Sequence, residues 1–480
     1  SITDGRYRLP WVRLHGTKDY LDLMLILERY PSLHQTVNLV PSLILQIEDY
    51  VAGTALDPYL RIALTPSEQL SLEQKEFAIA HFFDGNHHTL IDPHPRYSAL
   101  FHQRQDKGAE WCLENWTEQD YSDLAAWHNL SWIDPIFADD AEIAGWLEQG
   151  KGFTLGDRQR IHTKQKEILS RIIPQHRRMQ EAGQIEVTTT PYTHPILPLL
   201  ADTNAGRVAV PEMTLPHQRF QWAEDIPRHL RKAKTMYAER FGQNARGLWP
   251  SEQSVSPEIL PYIAEQGFQW ICSDEAVLGW SIDQFFSRDG SGNVYEPEAL
   301  YQPYRLETPH GDLAIVFRDH RLSDLIGFTY SNMEAGHAAR DLVGHLEAIA
   351  RSLKSRQPSG HSFLEQPWLV TIALDGENCW EFYQQDGLPF LTSLYEILSH
   401  HSDIKLVTVS EFIEQFPPTA TIPAEKLHSG SWVDGNFTTW IGDPVKNRAW
   451  DLLTTARQTL ANHPEATEDT NPEAWEALYA

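Results

Sequence analysis

Apolar residues fall on nearly every side of KDYLDLMLILERYP (residues 18–31), which predicts a helix buried all round. The following QTVNLVPSLILQI (35–47) reads as a strand that breaks at Pro41 into a helix. From about Asp57 to Glu181 the pattern turns helical and charged. TPSEQLSLEQKEFAIAHFF (65–83) opens on a cap-like start, and TLGDRQRIHTKQKEILSRIIPQHRRMQEA (154–182) predicts a second, long helix. This stretch is expected to be a helical insertion. A strand-and-helix rhythm then returns. QIEVTTT, ARGLWPS, FQWICSD, LAIVFRD, WLVTIALDG and IKLVTVSEF predict strands or strand ends. RHLRKAKTMYAERFG, SPEILPYIAEQG, AARDLVGHLEAIARSLKS and LPFLTSLYEILSHHS predict the helices between them.

Unbroken apolar strands alternating with helices imply a parallel sheet covered on both faces. A closed barrel is the leading expectation and an open doubly wound sheet the alternative. In a barrel, chemistry gathers where the strands end. Polar residues do cluster just after the apolar runs: His194, Glu252, Asp274 with Glu275, Asp319 with His320, and Asp375. No G-x-G-x-x-G or G-K-[ST] loop accompanies them, so no nucleotide cofactor is indicated.

Two of these positions are chemically unusual. Glu252 follows Trp249 and Pro250 in RGLWPSEQSVSPEIL, where an apolar residue would pack at lower cost. Asp375 emerges directly from the apolar run in WLVTIALDGENCWEFY, ahead of Gly376, Glu377, Asn378 and Trp380. Two acids at one end of a sheet push each other's ionisation apart, one staying charged and the other keeping its proton. Glycosidic bond cleavage needs that division, and in retaining enzymes the two carboxyl groups stand about 5–5.5 Å apart. The apolar C–H faces of sugars stack on aromatic rings, and Trp249 and Trp380 flank the two acids in sequence. Buried acids at strand ends also serve as structural ion pairs, so spacing alone leaves both roles open.

Composition narrows the partners. The chain of 480 residues carries 39 basic and 66 acidic residues, a net charge of -27 that repels phosphate backbones and anionic membranes. Neither a nucleic-acid nor a membrane partner is expected, and no apolar run has the length of a membrane span. Cys112, Cys272 and Cys379 lack metal-ligand spacing and are odd in number, which favours a reducing, cytoplasmic setting. Among the 16 tryptophans, Trp111, Trp116, Trp127 and Trp132 sit in helix-like sequence and are expected to be core.

LPWVRLHGTKDY, GQIEVTTTPYTHPILPL, GLWPSEQSV, FRDHRLSDLIGF, LDGENCWEFY and SWVDGNFTTWIG together resemble glycoside hydrolase family 57, in particular its amylopullulanase-like and α-amylase-like members. The resemblance covers nearly the whole chain. It implies an incomplete (β/α)7 barrel over residues 1–420, including the helical insertion, followed by a C-terminal helical region over 421–480. It also implies retaining action on α-glucans, at α-1,4 and optionally α-1,6 bonds, with Glu252 as nucleophile and Asp375 as general acid/base. His194, Trp249, Glu377 and Trp380 are implied as substrate contacts, as are Asp319, His320 and Trp432. No metal or other cofactor is expected in the reaction, although acid-rich loops leave room for a structural calcium. One departure stands out: the family's first strand ends in His-Gln-Pro, and that motif does not occur here. Ser1 is expected to lie downstream of it, His15 belongs to the next segment, and the closing EAWEALYA is expected to be cut short within a helix.

Other readings predict different chemistry. A 4-α-glucanotransferase or branching enzyme would use the same two acids and let a sugar hydroxyl replace water. A zinc-dependent deacetylase or mannosidase on a related barrel would draw on His194, Asp319 and His320 as ligands. A glucan-binding protein without catalysis would bind and not turn over.

Overall fold

In the computed structural model, which describes residues 6–356 and 367–480, six short strands are set among many helices. The strands are β1 (Gln35–Asn38), β2 (Ile185–Thr188), β3 (Trp270–Asp274), β4 (Tyr304–Leu306), β5 (Leu313–Arg318) and β6 (Ala420–Ile422). β1 and β2 pair in parallel with Val37 opposite Val187. β3 and β5 pair in parallel with Cys272 opposite Val316, and every residue of both strands is buried, as apolar runs covered on two faces require. β4 joins β5 antiparallel and carries β6 on its other side. The sequence did not mark β4 and β6, since three residues are too few for a period-two pattern to register.

Single parallel bridges connect these sheets. Thr189 pairs with Leu248, Gly247 with Trp270, and Arg318 with Thr371. Gly247 is required there: a Cβ at this position would fall 2.2 Å from the Trp270 ring, so only glycine lets the two segments approach. Among the described residues, the ladders make one two-stranded and one four-stranded sheet within a helix-rich α/β fold, and no ladder closes a ring. Two expected strands are reduced to isolated bonds. Residues 368–374 bond to Tyr301, Asp319 and Ser323 and bridge only through Thr371. Residues 404–407 meet β1 through the bond from His34 N to Leu406 O. Leu369, Val370, Ile372 and Leu374 are consequently half-buried and line a cavity instead of a sheet face.

The helical stretch shares an apolar cluster with the segments that precede it, running from Tyr7 to Ile172. Its spine is the helix Leu155–Glu181, which starts with a reciprocal capping box between Thr154 and Asp157 and buries Ile161, Ile168, Leu169 and Ile172. The helix expected to open near Thr65 begins at Leu72, because Ser71 and Gln74 form the capping box while Ser67–Gln69 makes a separate 3-10 turn. Trp116, Trp127 and Trp132 are buried as expected, and the half-buried Trp111 packs against the same cluster. The C-terminal helix Pro444–Ala461 is tied to the body by Arg457, whose guanidinium donates to both carboxylate oxygens of Asp225 at 2.7 and 3.0 Å. No helix among the described residues is long and apolar enough to cross a membrane.

Candidate active site

The segment after the Gly247–Leu248 bridges turns sharply, and Glu252 (φ 55°, ψ 27°) and Gln253 (φ 52°) both take left-handed backbone conformations. Such conformations cost non-glycine residues on the order of 1–3 kcal/mol each and persist only where the surroundings impose them. Here Ser251, Gln253 and Ser254 are fully buried, and Ser273 Oγ donates to Gln253 O at 2.9 Å. A loop from the C-terminal region completes the restraint. Val255 forms an antiparallel bridge with Gly430, and Trp432 N donates to Glu252 O at 3.2 Å. The Trp432 indole Nε1 also donates to Glu252 Oε2 at 2.7 Å, so one residue holds both the main chain and the carboxylate.

Trp432 is itself fixed on two sides. Its ring meets Trp249 edge-on, with centroids 5.8 Å apart and planes at 81°. The Arg318 guanidinium lies 4.8 Å from its ring centre. Arg318 leaves the end of β5, pairs with Asp274 at 2.6 Å, and donates to the carbonyls of Ala373 and Trp432 at 3.1 and 3.3 Å. One buried guanidinium thus connects the ends of β3 and β5, the 368–374 segment and the Trp432 loop.

Asp375 opens onto the same cavity two residues beyond Ala373. Asn378 Nδ2 donates to its Oδ2 at 2.7 Å. Its side chain is accessible to the cavity but surrounded by protein, and this desolvation raises its pKa above the ordinary carboxylate value. The negative charge of Glu252 raises it further, while Asn378, His194 and Arg318 pull the other way. Glu377 is pushed up to about 7 by burial and then by Asp375 and Asp19, with His15 opposing. His194, also in a left-handed conformation (φ 66°), has its pKa lowered by burial against the pull of Asp375. The Trp380 indole donates to Gly376 O at 2.9 Å and so locks the turn that presents Asp375 and Glu377.

The structure brings seven of the nine residues singled out in the sequence to one cavity of about 2090 Å³: His194, Trp249, Glu252, Asp375, Glu377, Trp380 and Trp432. Trp380 contributes mainly as packing, being 5% exposed. Asp319 and His320 do not line the cavity. Asp319 is fully buried, caps the helix His320–Asp324 through Leu322 N, and accepts from Tyr301 Oη at 2.7 Å and Arg288 Nη1 at 3.1 Å. His320 lies between Asp274 and Asp324, whose hydrogen bonds raise its pKa to about 10. Sequence reasoning gave no site role to Arg318, Asn378, His15, Asp19 and Tyr20. His15 and Asp19 line the cavity and are joined at 2.6 Å. All five stand inside stretches that carry the family resemblance, LPWVRLHGTKDY, FRDHRLSDLIGF and LDGENCWEFY, but no spacing marked them as site residues.

Acids at strand ends, aromatic walls and a large cavity thus sit together on a helix-rich α/β scaffold. The family model described as Glycosyl hydrolase family 57 matches residues 1–425, and the chain belongs to this family. A putative alpha-amylase of Methanocaldococcus jannaschii is 26% identical over 240 residues, 48% of this chain and 43% of that protein. The match therefore spans less than half of that relative. Among solved structures, a GH57-type branching enzyme from Pyrococcus horikoshii superposes with a TM-score of 0.53 at 16% identity, covering 93% of this chain and 73% of that one. The alpha-amylase AmyC from Thermotoga maritima gives 0.52 at 15% identity, covering 96% and 78%. These two likenesses concern the fold.

Proposed function

We propose that the protein is a retaining glycoside hydrolase of α-glucans, with Glu252 as nucleophile and Asp375 as general acid/base on an incomplete (β/α)7 barrel. The observation that carries this reading is the pairing itself: two carboxyl groups face one cavity, and the charge of Glu252 helps keep the proton on Asp375. The barrel reading is supported by the parallel bridges that link β1, β2, β3 and β5 through residues 247–248 and on to Thr371. The same proposal divides the chain into a catalytic unit, 1–420, and a C-terminal helical region, 421–480, that lends Trp432 to the site.

In the first step Glu252 attacks the anomeric carbon while Asp375 gives its proton to the departing glycosidic oxygen. The indole of Trp432 holds Oε2, which leaves Oε1 for the attack. Once Glu252 is esterified its charge is gone, and of the two causes that raise the pKa of Asp375 only desolvation remains. Asp375 is then poised to deprotonate the incoming water. Trp249 offers a ring surface for the apolar face of a glucose unit, and Glu377 and His194 supply polar contacts beside the acids. A cytoplasmic setting belongs to the same reading, supported by three buried cysteines without a disulfide.

The zinc-based alternative finds no support in the geometry, because His194 faces the cavity while Asp319 and His320 are bound elsewhere. Transfer to a sugar hydroxyl uses the same first step, and the likeness to a branching-enzyme fold keeps it as the second reading. Incubation with amylose and with maltooligosaccharides tests both. New reducing ends of retained configuration support hydrolysis, and new branches or longer chains support transfer. Native-rate turnover by Glu252→Gln and Asp375→Asn proteins would end both, and binding without turnover by the wild type would leave a glucan-binding protein.

A further inference from the structure

Behind the wall that carries Glu377, three carboxylates from distant parts of the chain converge. Asp22 comes from the helix Leu21–Leu27, Asp134 from the turn before Pro135, and Asp386 from the loop ahead of the helix Leu388–Ser399. One oxygen from each lies within 4.8 Å of the others. All three residues are buried, at 1%, 3% and 8% exposure. Neither oxygen of Asp22 has a hydrogen-bond partner, and neither does Oδ2 of Asp386. Buried carboxylate oxygens without donors are costly, and a 99% buried aspartate with both oxygens unpartnered calls for a ligand rich in positive charge.

Protein cations do not meet that need. Among the described residues Lys18 is the one ammonium in contact, and it is shared between Asp386 Oδ1 and Asp19 Oδ1. Asp19 also holds His15, on the side facing the substrate cavity. Four acids therefore stand against Lys18, with His15 the remaining basic group. Burial raises the pKa values of Asp22, Asp134 and Asp386 and neighbouring acids add to it, with Lys18 opposing at Asp22 and Asp386.

We infer that Asp22, Asp134 and Asp386 form a structural site for a hard divalent cation, with calcium as the fitting ion. The donor set is all oxygen, with no imidazole or thiolate, which favours calcium or magnesium over zinc. Calcium–oxygen contacts run about 2.3–2.6 Å, so two ligands of one ion stand no more than roughly 4.6–5.2 Å apart, a limit that the three oxygens satisfy. Asp134 Oδ1 is engaged as the cap of Ile136 N at 2.6 Å, leaving its other oxygen for the ion. Asp386 has a left-handed backbone (φ 55°), as does Gln385 (φ 46°), and the ion would hold this loop against the Leu21–Leu27 helix. That loop continues the segment presenting Asp375, Glu377 and Trp380, so the site would brace one wall of the cavity without touching substrate.

The test needs no substrate, which separates it from the proposed glycosidase activity. Wild-type protein is stripped with a chelator, exchanged into metal-free buffer and titrated with calcium chloride by calorimetry, with the melting temperature followed in parallel. About one calcium bound per chain, with a rise of several degrees in melting temperature, is the expected result. Asp22→Asn and Asp134→Asn proteins should each lose binding and the calcium-dependent rise. No binding at millimolar calcium, with an unchanged melting temperature after chelation, overturns the inference. So would calcium binding that survives in both variants. Wild-type titration remains decisive if either variant fails to fold.

Discussion

Two acids, Asp57 buried in the helical half and Asp375 open to the cavity, show how one fold surrounds one functional group in opposite ways. Asp57 is fully buried and answered on every side. Arg13 Nε donates to Oδ2 at 3.2 Å, Tyr50 Oη at 2.8 Å, and Leu60 N reaches Oδ1 at 2.7 Å. Arg13 is held in turn by Asn129 at 2.5 Å and Gln165 at 3.0 Å. Against the cost of burial, this cation and these donors bring the Asp57 pKa below its ordinary value. Asp375 has one amide donor, an acid for a neighbour and an open cavity, and its pKa rises. Satisfied charge locks structure, whereas under-satisfied charge beside a cavity is available for proton transfer.

The strongest test of the contrast is to exchange the consequences. Glu252→Gln and Asp375→Asn should each lower kcat on an α-glucan by roughly 10²–10⁴-fold or more while leaving the melting temperature near that of the wild type. Azide should restore turnover to Glu252→Ala as a glycosyl azide of inverted configuration, read by NMR of the product. Arg13→Met should do the reverse. Stranding Asp57 without its cation should cost about 3–5 kcal/mol of unfolding free energy in denaturant titration, with kcat of the folded protein retained. Because the Asp57 pKa is depressed in the fold, its stabilisation is present above its unfolded value of about 3.9 and is lost as pH falls through the folded value. Acid unfolding curves should therefore converge for wild type and an Asp57→Asn protein at low pH.

Smaller effects sharpen the picture. Trp432→Phe keeps a ring against Trp249 and removes the donor to Glu252, a charged hydrogen bond worth about 1.5–3 kcal/mol, or roughly 10- to 100-fold in kcat/KM. The smallest expected signal is the titration of Asp375. It should shift to lower pH in Glu252→Gln than in wild type, by carboxyl carbon NMR, because a neighbouring negative charge has been removed. The proposed mechanism, whose first step uses protonated Asp375, predicts that kcat/KM of the wild type falls as pH rises through the raised value.

Much of the site was legible before the fold was known. Glu252 and Asp375 stood out because each is an acid set in strongly apolar or aromatic sequence, and local context is enough to mark such a residue as costly. The same reasoning carried Asp319 and His320 along, since they too follow an apolar strand. Tertiary contacts separate the cases: Tyr301, Arg288 and Leu322 N complete Asp319, and Asp274 and Asp324 complete His320. Leu322 N and Asp324 lie within one helical turn, but Tyr301, Arg288 and Asp274 stand 18, 31 and 46 positions away and nothing local announces them.

By itself the sequence determined the alternation of buried strands and helices, the long capped helix 155–181 and the identity of the two unusual acids, all set by patterns within about twenty residues. Tertiary structure alone decided that Trp432, 180 positions beyond Glu252, becomes its hydrogen-bond donor. It also decided that Arg318 links four segments, that the 368–374 run lines a cavity instead of completing a ladder, and that Asp22, Asp134 and Asp386 meet. Hydrophobic periodicity reports which face of an element is buried, not which distant element covers it. Side-chain charge, by contrast, acquires its function only from the groups that finally surround it.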